Sequence, residues 1–404
     1  MHRSDPIMGR IEVMTVKRIC LLGATGSIGK STLDLIAQHP DQFELFSASA
    51  NSDVDGMLKL VRAFNPAQVC MRNEEAGQRL AKEFKQFDIG KTELLIGEQG
   101  LNNLAAHPSV DTVVAGIVGI AGLLPVWAAV SEGKSVLLAN KEALVCAGEL
   151  FVQAAKRSGA RILPIDSEHN AIFQCLGPAY SCFSRPESVH RLLLTASGGP
   201  FRQWSLEAIR NATPEQAVKH PNWVMGPKIS VDSATMMNKA LELIEAHWLF
   251  AMPAAEIEVV IHPQSIIHSM VEFQDGSTLA QLGTPDMRTP IAHAMAWPDR
   301  IHSSVESLNW SQLRELQFEA PDNKRFPSLE FARHALAGGP VASICLNAVN
   351  EVMVARFLKG DCAFGAIFDQ VDEGLGRFAG RFPIPSGLGD VMAIDTEVRS
   401  FYAH

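Results

Sequence analysis

The chain has 404 residues, of which 47% are hydrophobic and 20% charged, and its formal net charge is −9. This composition excludes a disordered chain, and the length predicts two or three domains. The acidic balance argues against nucleic acid or an anionic membrane as a partner, but it permits a small phosphorylated substrate held by a few local donors.

Cysteine usage predicts a cytoplasmic protein. The seven cysteines are scattered and contain no CxxC pair, which is typical of reduced thiols rather than of disulfides or a structural zinc site. Residues 1–17 have no continuous apolar core, so we expect no secretory signal there. Residues 113–130 are long enough to cross a bilayer, but glycines and Pro125 break them into a predicted strand, turn and helix start.

Short apolar runs alternate with helical stretches from residue 17 to residue 150, which predicts parallel βαβ units in a doubly wound sheet. Strands are expected at 18–22, 44–49, 67–71, 112–115 and 135–139, with the first helix at 27–38.

A glycine-rich loop, GATGSIG at residues 23–29, lies between the first strand and the first helix. Glycines let the backbone approach a pyrophosphate there, and the helix N-terminus offers free N–H groups. The loop indicates dinucleotide binding, with a purely structural turn as the alternative.

The residues after the second strand normally distinguish NAD, which an acid favours, from NADP, which a basic residue favours. Here Ala50, Asn51 and Ser52 precede Asp53 and Asp55, and no cation is present in this loop. The loop alone leaves the choice open.

Three polar residues, Asn140, Lys141 and Glu142, follow the strand at 135–139. They are expected at the carboxyl edge of the sheet, where ligands bind in this architecture. A solvated helix start, with Glu142 favoured by the helix dipole, is the alternative.

The middle third predicts an α+β domain with an open, partly antiparallel sheet. Beyond it, a proline-rich linker from 297 to 326 leads to helix-period segments that predict a C-terminal helical bundle. The expected strands are 161–165, 191–195, 228–231, 258–261, 266–273 and 278–282, with a hairpin turn at 274–277, and the expected helices are 233–250, 328–337, 341–358 and 364–378.

Asp166 and Glu168 follow the strand at 161–165, and on an extended segment side chains two residues apart face the same way. Two such carboxylates repel each other unless a cation neutralises them, and magnesium or manganese prefers oxygen ligands. A helix cap followed by a surface acid is the alternative.

The predicted helix at 233–250 carries Asn238, Lys239 and Glu242 on one arc, beside an apolar stripe. Glu242 is a candidate third carboxylate, with Asn238 and Lys239 holding an anionic group. A solvated pair between Lys239 and Glu242 is the alternative.

Two loops complete the candidate site. The glycines of SGGP at 197–200 expose N–H groups that suit phosphate oxygens. In HPNWVMG at 220–226, Trp223 suits a lid that closes on a ligand, with burial in a core as the alternative. His262 and His268 are expected to be core or sheet residues.

Seven segments together resemble the 1-deoxy-D-xylulose 5-phosphate reductoisomerase family, over residues 17–404. The pairing of DSEHN with SVDSATMMNK is the most specific feature. The segments are GATGSIG, ANKEALV, PIDSEHNAIFQ, TASGGPF, HPNWVMG, KISVDSATMMNKALELIEAHWLF and HPQSIIHSMVEF.

The resemblance implies an α/β enzyme that forms a homodimer of V-shaped subunits. It implies a Rossmann-like, doubly wound NADPH-binding domain at 1–165 and a linker at 297–325. Between them, a catalytic and connective α+β domain at 166–296 carries the metal and substrate site and the dimer sheet. A C-terminal helical domain follows at 326–404.

The implied reaction is the NADPH- and metal-dependent conversion of 1-deoxy-D-xylulose 5-phosphate to 2-C-methyl-D-erythritol 4-phosphate, in the non-mevalonate pathway of isoprenoid synthesis. A retro-aldol and re-aldol rearrangement would precede reduction by the nicotinamide. The implied metal is Mg²⁺ or Mn²⁺, with Co²⁺ as a further candidate.

The resemblance also implies residue roles. The metal ligands are Asp166, Glu168 and Glu242, and these acids with Lys141 and His220 form the catalytic set. The substrate contacts are Lys141, Ser167, Glu168, Ser197, His220, Ser233, Asn238, Lys239 and Glu242. The NADPH contacts are Thr25, Gly26, Ser27, Ile28, Ala50, Asn51, Ser52, Asn140, Glu142 and Gly226.

The chain departs from the family pattern at Pro227, where arginine is common, at Ala240, where glycine is usual, and in lacking a basic residue near Asn51. Two other functions remain as alternatives. One is a metal-independent two-domain oxidoreductase. The other is a silent NADP-binding regulatory protein, which would have no reason to bear the repulsion among three acids.

Overall fold

The computed structural model describes residues 16–223 and 225–403. Most of the segment for which we expect no secretory signal lies outside this range. Within it, two sheets and a group of C-terminal helices organise the chain.

The first sheet consists of seven parallel strands: β1 (Lys17–Leu22), β2 (Phe43–Ala50), β3 (Gln68–Met71), β4 (Glu93–Ile96), β5 (Thr112–Ala115), β6 (Ser135–Leu138) and β7 (Arg161–Pro164). Their order is β4-β3-β2-β1-β5-β6-β7, so the winding reverses between β1 and β5. Doubly wound sheets bind ligands at this reversal. The predicted sheet is confirmed. Strand β4 was missed because it is a partly exposed edge strand without a buried apolar run.

One helix follows each of these strands: α1 (Ser27–Gln38), α2 (Val54–Phe64), α3 (Glu74–Gln86), α4 (Gly97–Ala106), α5 (Leu123–Ser131), α6 (Lys141–Ser158) and α7 (Ser167–Leu176). Asn140 and Asp166 are the N-caps of α6 and α7, and each side chain accepts a hydrogen bond from a backbone N–H of its helix. These caps fix polar side chains at the carboxyl edge of the sheet.

The second sheet contains β8 (Val189–Ala196), β9 (Ile257–Ile261), β10 (Ile267–Phe273) and β11 (Thr278–Leu282), in the order β11-β10-β8-β9. Strands β8 and β9 are parallel and the other two pairs are antiparallel, so the sheet is partly antiparallel, as predicted. The helices of this region are α8 (Leu206–Arg210), α9 (Pro214–Ala217), α10 (Pro227–Ala234), α11 (Met237–Phe250) and α12 (Arg288–Ala296).

Three predictions in this region are wrong. The strand expected at 161–165 in the second sheet is β7 of the first sheet, where it pairs in parallel with β6. The strand at 228–231 is part of α10, because Pro227 starts a helix well and Lys228 pairs with Asp232 one turn later. The helix at 233–250 is two helices, since Met236 adopts a left-handed conformation with φ of 62°. The hydroxyl of Thr235 accepts the N–H of Met237 at this break.

The C-terminal region contains α13 (Ser328–Gly338), α14 (Pro340–Lys359), α15 (Phe364–Arg377) and α16 (Leu388–Tyr402), after an irregular linker. The predicted helical bundle is confirmed, but α16 was missed. Its buried residues Val391, Ile394, Val398 and Tyr402 have the helical spacing that could have revealed it.

Helix α14 is long and apolar enough to cross a membrane, with mean hydropathy 1.4, but 67% of its apolar window is buried within the protein. It packs against α6, α13, α15 and α16. Residues 113–130 are divided among β5, a short 3-10 helix at Ile120–Gly122 and α5, as the glycine pattern predicts.

The third glycine of the loop at 23–29 holds α1 close to β1. A Cβ added at Gly29 would lie 2.3 Å from the carbonyl oxygen of Ala24, a backbone atom that no side-chain rotation can move. We expect Gly29→Ala to lower the free energy of unfolding by roughly 1–3 kcal/mol in urea denaturation, the usual cost of overpacking.

Gly376 provides the matched control. It lies in α15, where an added Cβ would meet nothing within 4 Å. Gly376→Ala is expected to raise the free energy of unfolding by roughly 0.5–1 kcal/mol, because alanine loses less backbone entropy than glycine. Equal stability of Gly29→Ala and the unmodified protein would show that the loop can move away from α1.

Candidate active site

A cavity of about 330 Å³ opens at the carboxyl edge of the first sheet. Its wall includes residues 26–28, the loop after β5, the N-termini of α6 and α7, and the loop after β8. Residues 220, 223, 225 and 226 also line it, as do α10, α11 and residues 265, 267, 268 and 287. The predicted nucleotide-binding edge and the predicted acidic site therefore share one cavity.

Asp166, Glu168 and Glu242 meet in this cavity, where one carboxylate oxygen of each lies within 4.8 Å of the others. The predicted convergence is found, but its predicted local geometry is wrong. Asp166 caps α7 and Glu168 lies in the first helical turn, so the segment is not extended. The helix cap and the acidic cluster are the same feature.

Two lysines lie between these carboxylates. The ammonium group of Lys141 is 2.5 Å from Asp166 Oδ2 and 2.9 Å from Glu242 Oε1. The ammonium group of Lys239 is 2.9 Å from Glu168 Oε1 and also contacts Glu242. Lys239 and Glu242 therefore do not form the solvated pair of the alternative interpretation.

The electrostatics of the cluster favour additional positive charge. Burial, and then the charge of Glu242, raises the pKa of Glu168 to about 7. Although burial alone would lower it, Asp166 and Glu242 hold the pKa of Lys141 well above its usual value. The donor set consists of three carboxylates, which fits a hard divalent cation such as Mg²⁺ or Mn²⁺. Such a cation would compete with both lysines for the same oxygens.

The dinucleotide side of the cavity is formed by the two loops at the reversal of the sheet. Gly26, Ser27 and Ile28 line the cavity, and so does Gly226, the N-cap of α10. Thr25 and residues 50–52 lie outside the described lining. The loop after β2 adjoins the glycine loop, because Ala24 N donates to Ser49 O at 2.7 Å.

The other end of the cavity presents hydroxyl and amide donors. Ser197, Ser233 and Asn238 line it together with Gly198 and Gly199. Both glycines have positive φ, and a Cβ at Gly199 would lie 2.5 Å from the carbonyl oxygen of Ser233. This end suits an anion such as a phosphate.

His220 fixes the orientation of Ser197. Its Nδ1 accepts the backbone N–H groups of Asn222 (3.2 Å) and Trp223 (2.9 Å), so the ring proton of the neutral form lies on Nε2. Nε2 is 2.9 Å from Ser197 Oγ and donates to it. Ser197 Oγ also accepts from Gly199 N, which leaves its own O–H free to donate to a ligand.

Trp223 lies at the edge of the cavity and is half-buried. Its ring centroid is 6.0 Å from that of His268, which is buried and also lines the cavity. The core alternative for Trp223 is thus not supported. His262 is a core residue as predicted, fully buried and bonded to Gln317 O and Ile266 N.

Comparison with known proteins identifies the family. Family models described as 1-deoxy-D-xylulose 5-phosphate reductoisomerase, its C-terminal domain, and the DXP reductoisomerase C-terminal domain match residues 19–148, 162–250 and 282–401. The reductoisomerase of Acidithiobacillus ferrooxidans is 53% identical over 94% of this chain and 95% of its own. That of Methylococcus capsulatus is 51% identical over 95% and 97%.

The chain belongs to the 1-deoxy-D-xylulose 5-phosphate reductoisomerase family. A solved reductoisomerase in complex with NADPH, fosmidomycin and magnesium superimposes with a TM-score of 0.91 at 45% identity, covering 96% of this chain and 97% of that one. The Zymomonas mobilis enzyme in complex with NADPH gives a TM-score of 0.87 at 43% identity, with coverage of 96% and 98%.

Sequence reasoning missed a buried pair behind the acids of this family's site. His169 Nε2 donates to Glu242 O at 2.9 Å, and Nδ1 lies 3.4 Å from Asp166 Oδ1 and 3.3 Å from Glu245 Oε2. His169 therefore ties the helix that carries Glu242 to the cap of α7. The three-residue spacing of Glu242 and Glu245 on one helix was the available signal.

A second missed group surrounds Glu142. Glu142 is buried, and its Oε1 accepts from Lys228 Nζ at 2.7 Å, so the solvated helix start is wrong. Lys228 also pairs with Asp232 at 2.7 Å. Asn140 is buried, and its amide donates to Ile117 O and Gly119 O, so its side chain holds the loop after β5. Its contact with NADPH stays a prediction.

His220 provides a pH test of this geometry. Burial lowers its pKa to about 4. Because the folded pKa lies below the ordinary value, the unfolded chain binds a proton more readily, and stability falls as the pH drops from about 6.5 towards 4. An NMR titration of the ring, assigned with His220→Gln, should show an inflection near 4. An inflection near 6.5 would contradict the Nδ1 acceptor role.

Proposed function

We propose that the chain catalyses the NADPH- and divalent-metal-dependent rearrangement and reduction of 1-deoxy-D-xylulose 5-phosphate to 2-C-methyl-D-erythritol 4-phosphate. This reaction supplies isoprenoid precursors by the non-mevalonate pathway. The observation that carries the proposal is the meeting of Asp166, Glu168 and Glu242 in the cavity that also contains the glycine loop. A silent binding protein has no reason to keep three acids in repulsive contact.

Asp166, Glu168 and Glu242 would hold Mg²⁺ or Mn²⁺, with Co²⁺ as a further candidate. When bound, the cation would polarise the carbonyl and hydroxyl oxygens of the substrate and stabilise negative charge that develops on them. Ser167 supports Glu168, because its hydroxyl donates to Glu168 Oε2 at 2.5 Å. Lys141, held by the acids and by Asn238 Oδ1 at 2.9 Å, is placed to donate to a substrate oxygen.

The phosphate would bind at the end of the cavity that presents hydroxyl and amide donors, beside the acidic cluster, since Asn238 and Lys239 both contact Glu242. Ser197, Ser233, Asn238 and Lys239 supply side-chain donors, and the two glycines after Ser197 supply backbone N–H groups. His220 orients the Ser197 hydroxyl towards the ligand. Because the phosphate is remote from the reacting carbons, its binding energy can orient the carbon skeleton and close the loop that carries Trp223.

The test of this function is the oxidation of NADPH that depends on 1-deoxy-D-xylulose 5-phosphate, measured with Mg²⁺ and with EDTA. Glu242→Gln is expected to lower kcat/KM by more than about 100-fold, because even residues that only support metal ligands are worth 10–100-fold. Glu149→Gln, an exposed change on α6, is the control and should retain full activity. Full activity in EDTA would favour the metal-independent oxidoreductase.

No basic residue lies in the loop after β2, but Arg72 at the end of the adjacent strand β3 can provide a positive charge for the 2′-phosphate of NADPH. Arg72 follows β3, and its backbone N–H donates to Ala50 O at 2.9 Å. Its guanidinium pairs with Glu98 at 2.8 Å, and the two side chains are 37% and 65% exposed. Exposed ion pairs contribute little free energy, so Arg72 can exchange Glu98 for the 2′-phosphate of NADPH.

Arg72→Ala is therefore expected to lower kcat/KM for NADPH by roughly tenfold or more, the value of one charge-assisted hydrogen bond, while leaving kcat/KM for NADH unchanged. Arg79→Ala removes an equal charge from the exposed side of α3 and serves as the control. Steady-state kinetics with both cofactors measure the ratio. An equal fall in kcat/KM for NADPH and for NADH would show that Arg72 does not recognise the 2′-phosphate.

We further propose a cytoplasmic homodimer. The seven cysteines are free thiols, which supports a reducing compartment. Strand β11 is one of the two outer strands of the second sheet, and its Leu279 is 50% exposed, which supports pairing of this sheet with a second copy.

The proposed domains are an NADPH-binding domain at 1–165, a catalytic and connective domain at 166–296, a linker at 297–325 and a helical domain at 326–404. The change of sheet after β7 supports the first boundary. The end of α12 and the start of α13 support the linker between the last two domains.

A further inference from the structure

The loop after β5 forms the cavity wall at the reversal of the first sheet. Gly116, Ile117 and Val118 line the cavity, and Val118 is 49% exposed although it is apolar. Asn140 holds this loop from one side through the carbonyl oxygens of Ile117 and Gly119. The shape of the loop therefore depends on its backbone hydrogen bonds.

Glu351 of α14 holds the same loop from the other side. Its Oε1 accepts the backbone N–H of Ile120 at 3.2 Å, across 231 residues of sequence, and also the amide of Asn347 at 3.2 Å. Its Oε2 accepts from Arg399 of α16 at 2.7 Å. Arg399 in turn donates to Asp395 at 2.6 Å. An ionic chain thus runs from the last helix to the cavity wall.

Gly119 allows Glu351 to come this close. Its φ is +77°, which side chains rarely adopt, and an added Cβ would lie 2.9 Å from Glu351 Oε1. The glycine is therefore required by its conformation, and any side chain there would also displace the carboxylate of Glu351. The absence of a side chain at position 119 thus leaves room for the carboxylate of Glu351, which comes from a distant part of the sequence.

A neighbouring residue of α14 contacts a second part of the cavity lining, Asp232 of α10. Asn350 donates to Asp232 Oδ1 at 2.9 Å, and Asp232 pairs with Lys228, which in turn pairs with Glu142. Asn350 is fully buried. Consecutive residues of one helix are thus connected to two parts of the cavity wall, the loop after β5 and α10.

We propose that Glu351 is a positioning residue, which holds the loop after β5 in the shape that receives the dinucleotide, and that Arg399 holds Glu351 in place. The inference rests on the proposed function in that the ligand is NADPH. Glu351 does not line the cavity, so it acts through the loop rather than through the ligand. Its effect on binding comes from the loop position, because a loop already held in its bound shape loses less conformational freedom when the ligand binds.

The experiment compares full-length variants by their Kd for NADPH, their KM for 1-deoxy-D-xylulose 5-phosphate and their melting temperature. Glu351→Ala is expected to raise the Kd for NADPH about tenfold, the usual value of one hydrogen bond. The KM for the phosphorylated substrate should stay within about twofold, because the loop lies at the nucleotide end. Glu351→Gln keeps an acceptor for the Ile120 N–H and should restore most of the affinity. Arg399→Met should weaken NADPH binding severalfold.

Glu373→Ala is the matched control. It removes a carboxylate that pairs with Arg377 at 2.6 Å on the exposed side of α15, so it should change neither constant. A lower melting temperature with an unchanged Kd for NADPH in Glu351→Ala would overturn the inference.

If Glu351→Ala does not fold, the Kd of Arg399→Met decides, and an unchanged value overturns the inference. If the unmodified protein does not bind NADPH, the proposed function and this inference both fail. If the unmodified protein and all the variants bind NADPH with the same Kd, the positioning role of Glu351 is wrong but the proposed function stands.

Discussion

The repulsion among three neighbouring carboxylates is the constraint on which the rest of this structure depends. Asp166, Glu168 and Glu242 come from the start of α7 and from α11, and each is brought to one point although their mutual repulsion opposes it. Leaving a buried charge without its partner typically costs about 3–5 kcal/mol, so the surrounding cations are needed for folding as well as for chemistry. Lys141 and Lys239 meet that need by lying between the acids.

This arrangement gives both lysines two sets of partners. In the described geometry their ammonium groups neutralise carboxylates, and a divalent cation at the same oxygens would take over that task. The lysines would then be free to donate to a substrate, so metal and substrate binding should favour each other, and this coupling is reciprocal. His169 does not exchange partners in the same way, because its ring donates to a backbone carbonyl of α11.

The sequence was sufficient to predict which residues form the site, but not the backbone conformation that holds them. Asp166, Glu168 and Glu242 could be grouped because hard cations need such residues, yet the segment at 166–168 is a capped helix start. The β-branched residues at 229 and 231 are typical of a strand, whereas Pro227 and the Lys228–Asp232 pair favour the helix that forms. Contacts such as that of Glu351 with Ile120 depend on tertiary packing, so no local sequence pattern predicts them.

Helix α14 shows why such contacts matter. Its high hydropathy reflects burial among α6, α13, α15 and α16. A buried amide on an apolar helix costs free energy unless it is hydrogen-bonded, so Asn347 and Asn350 are not explained by packing alone. Their amide groups donate to Glu351 and to Asp232, the residues through which the helix reaches the two cavity walls. The buried polar residues of α14 therefore lie where the C-terminal region contacts the walls of the active site.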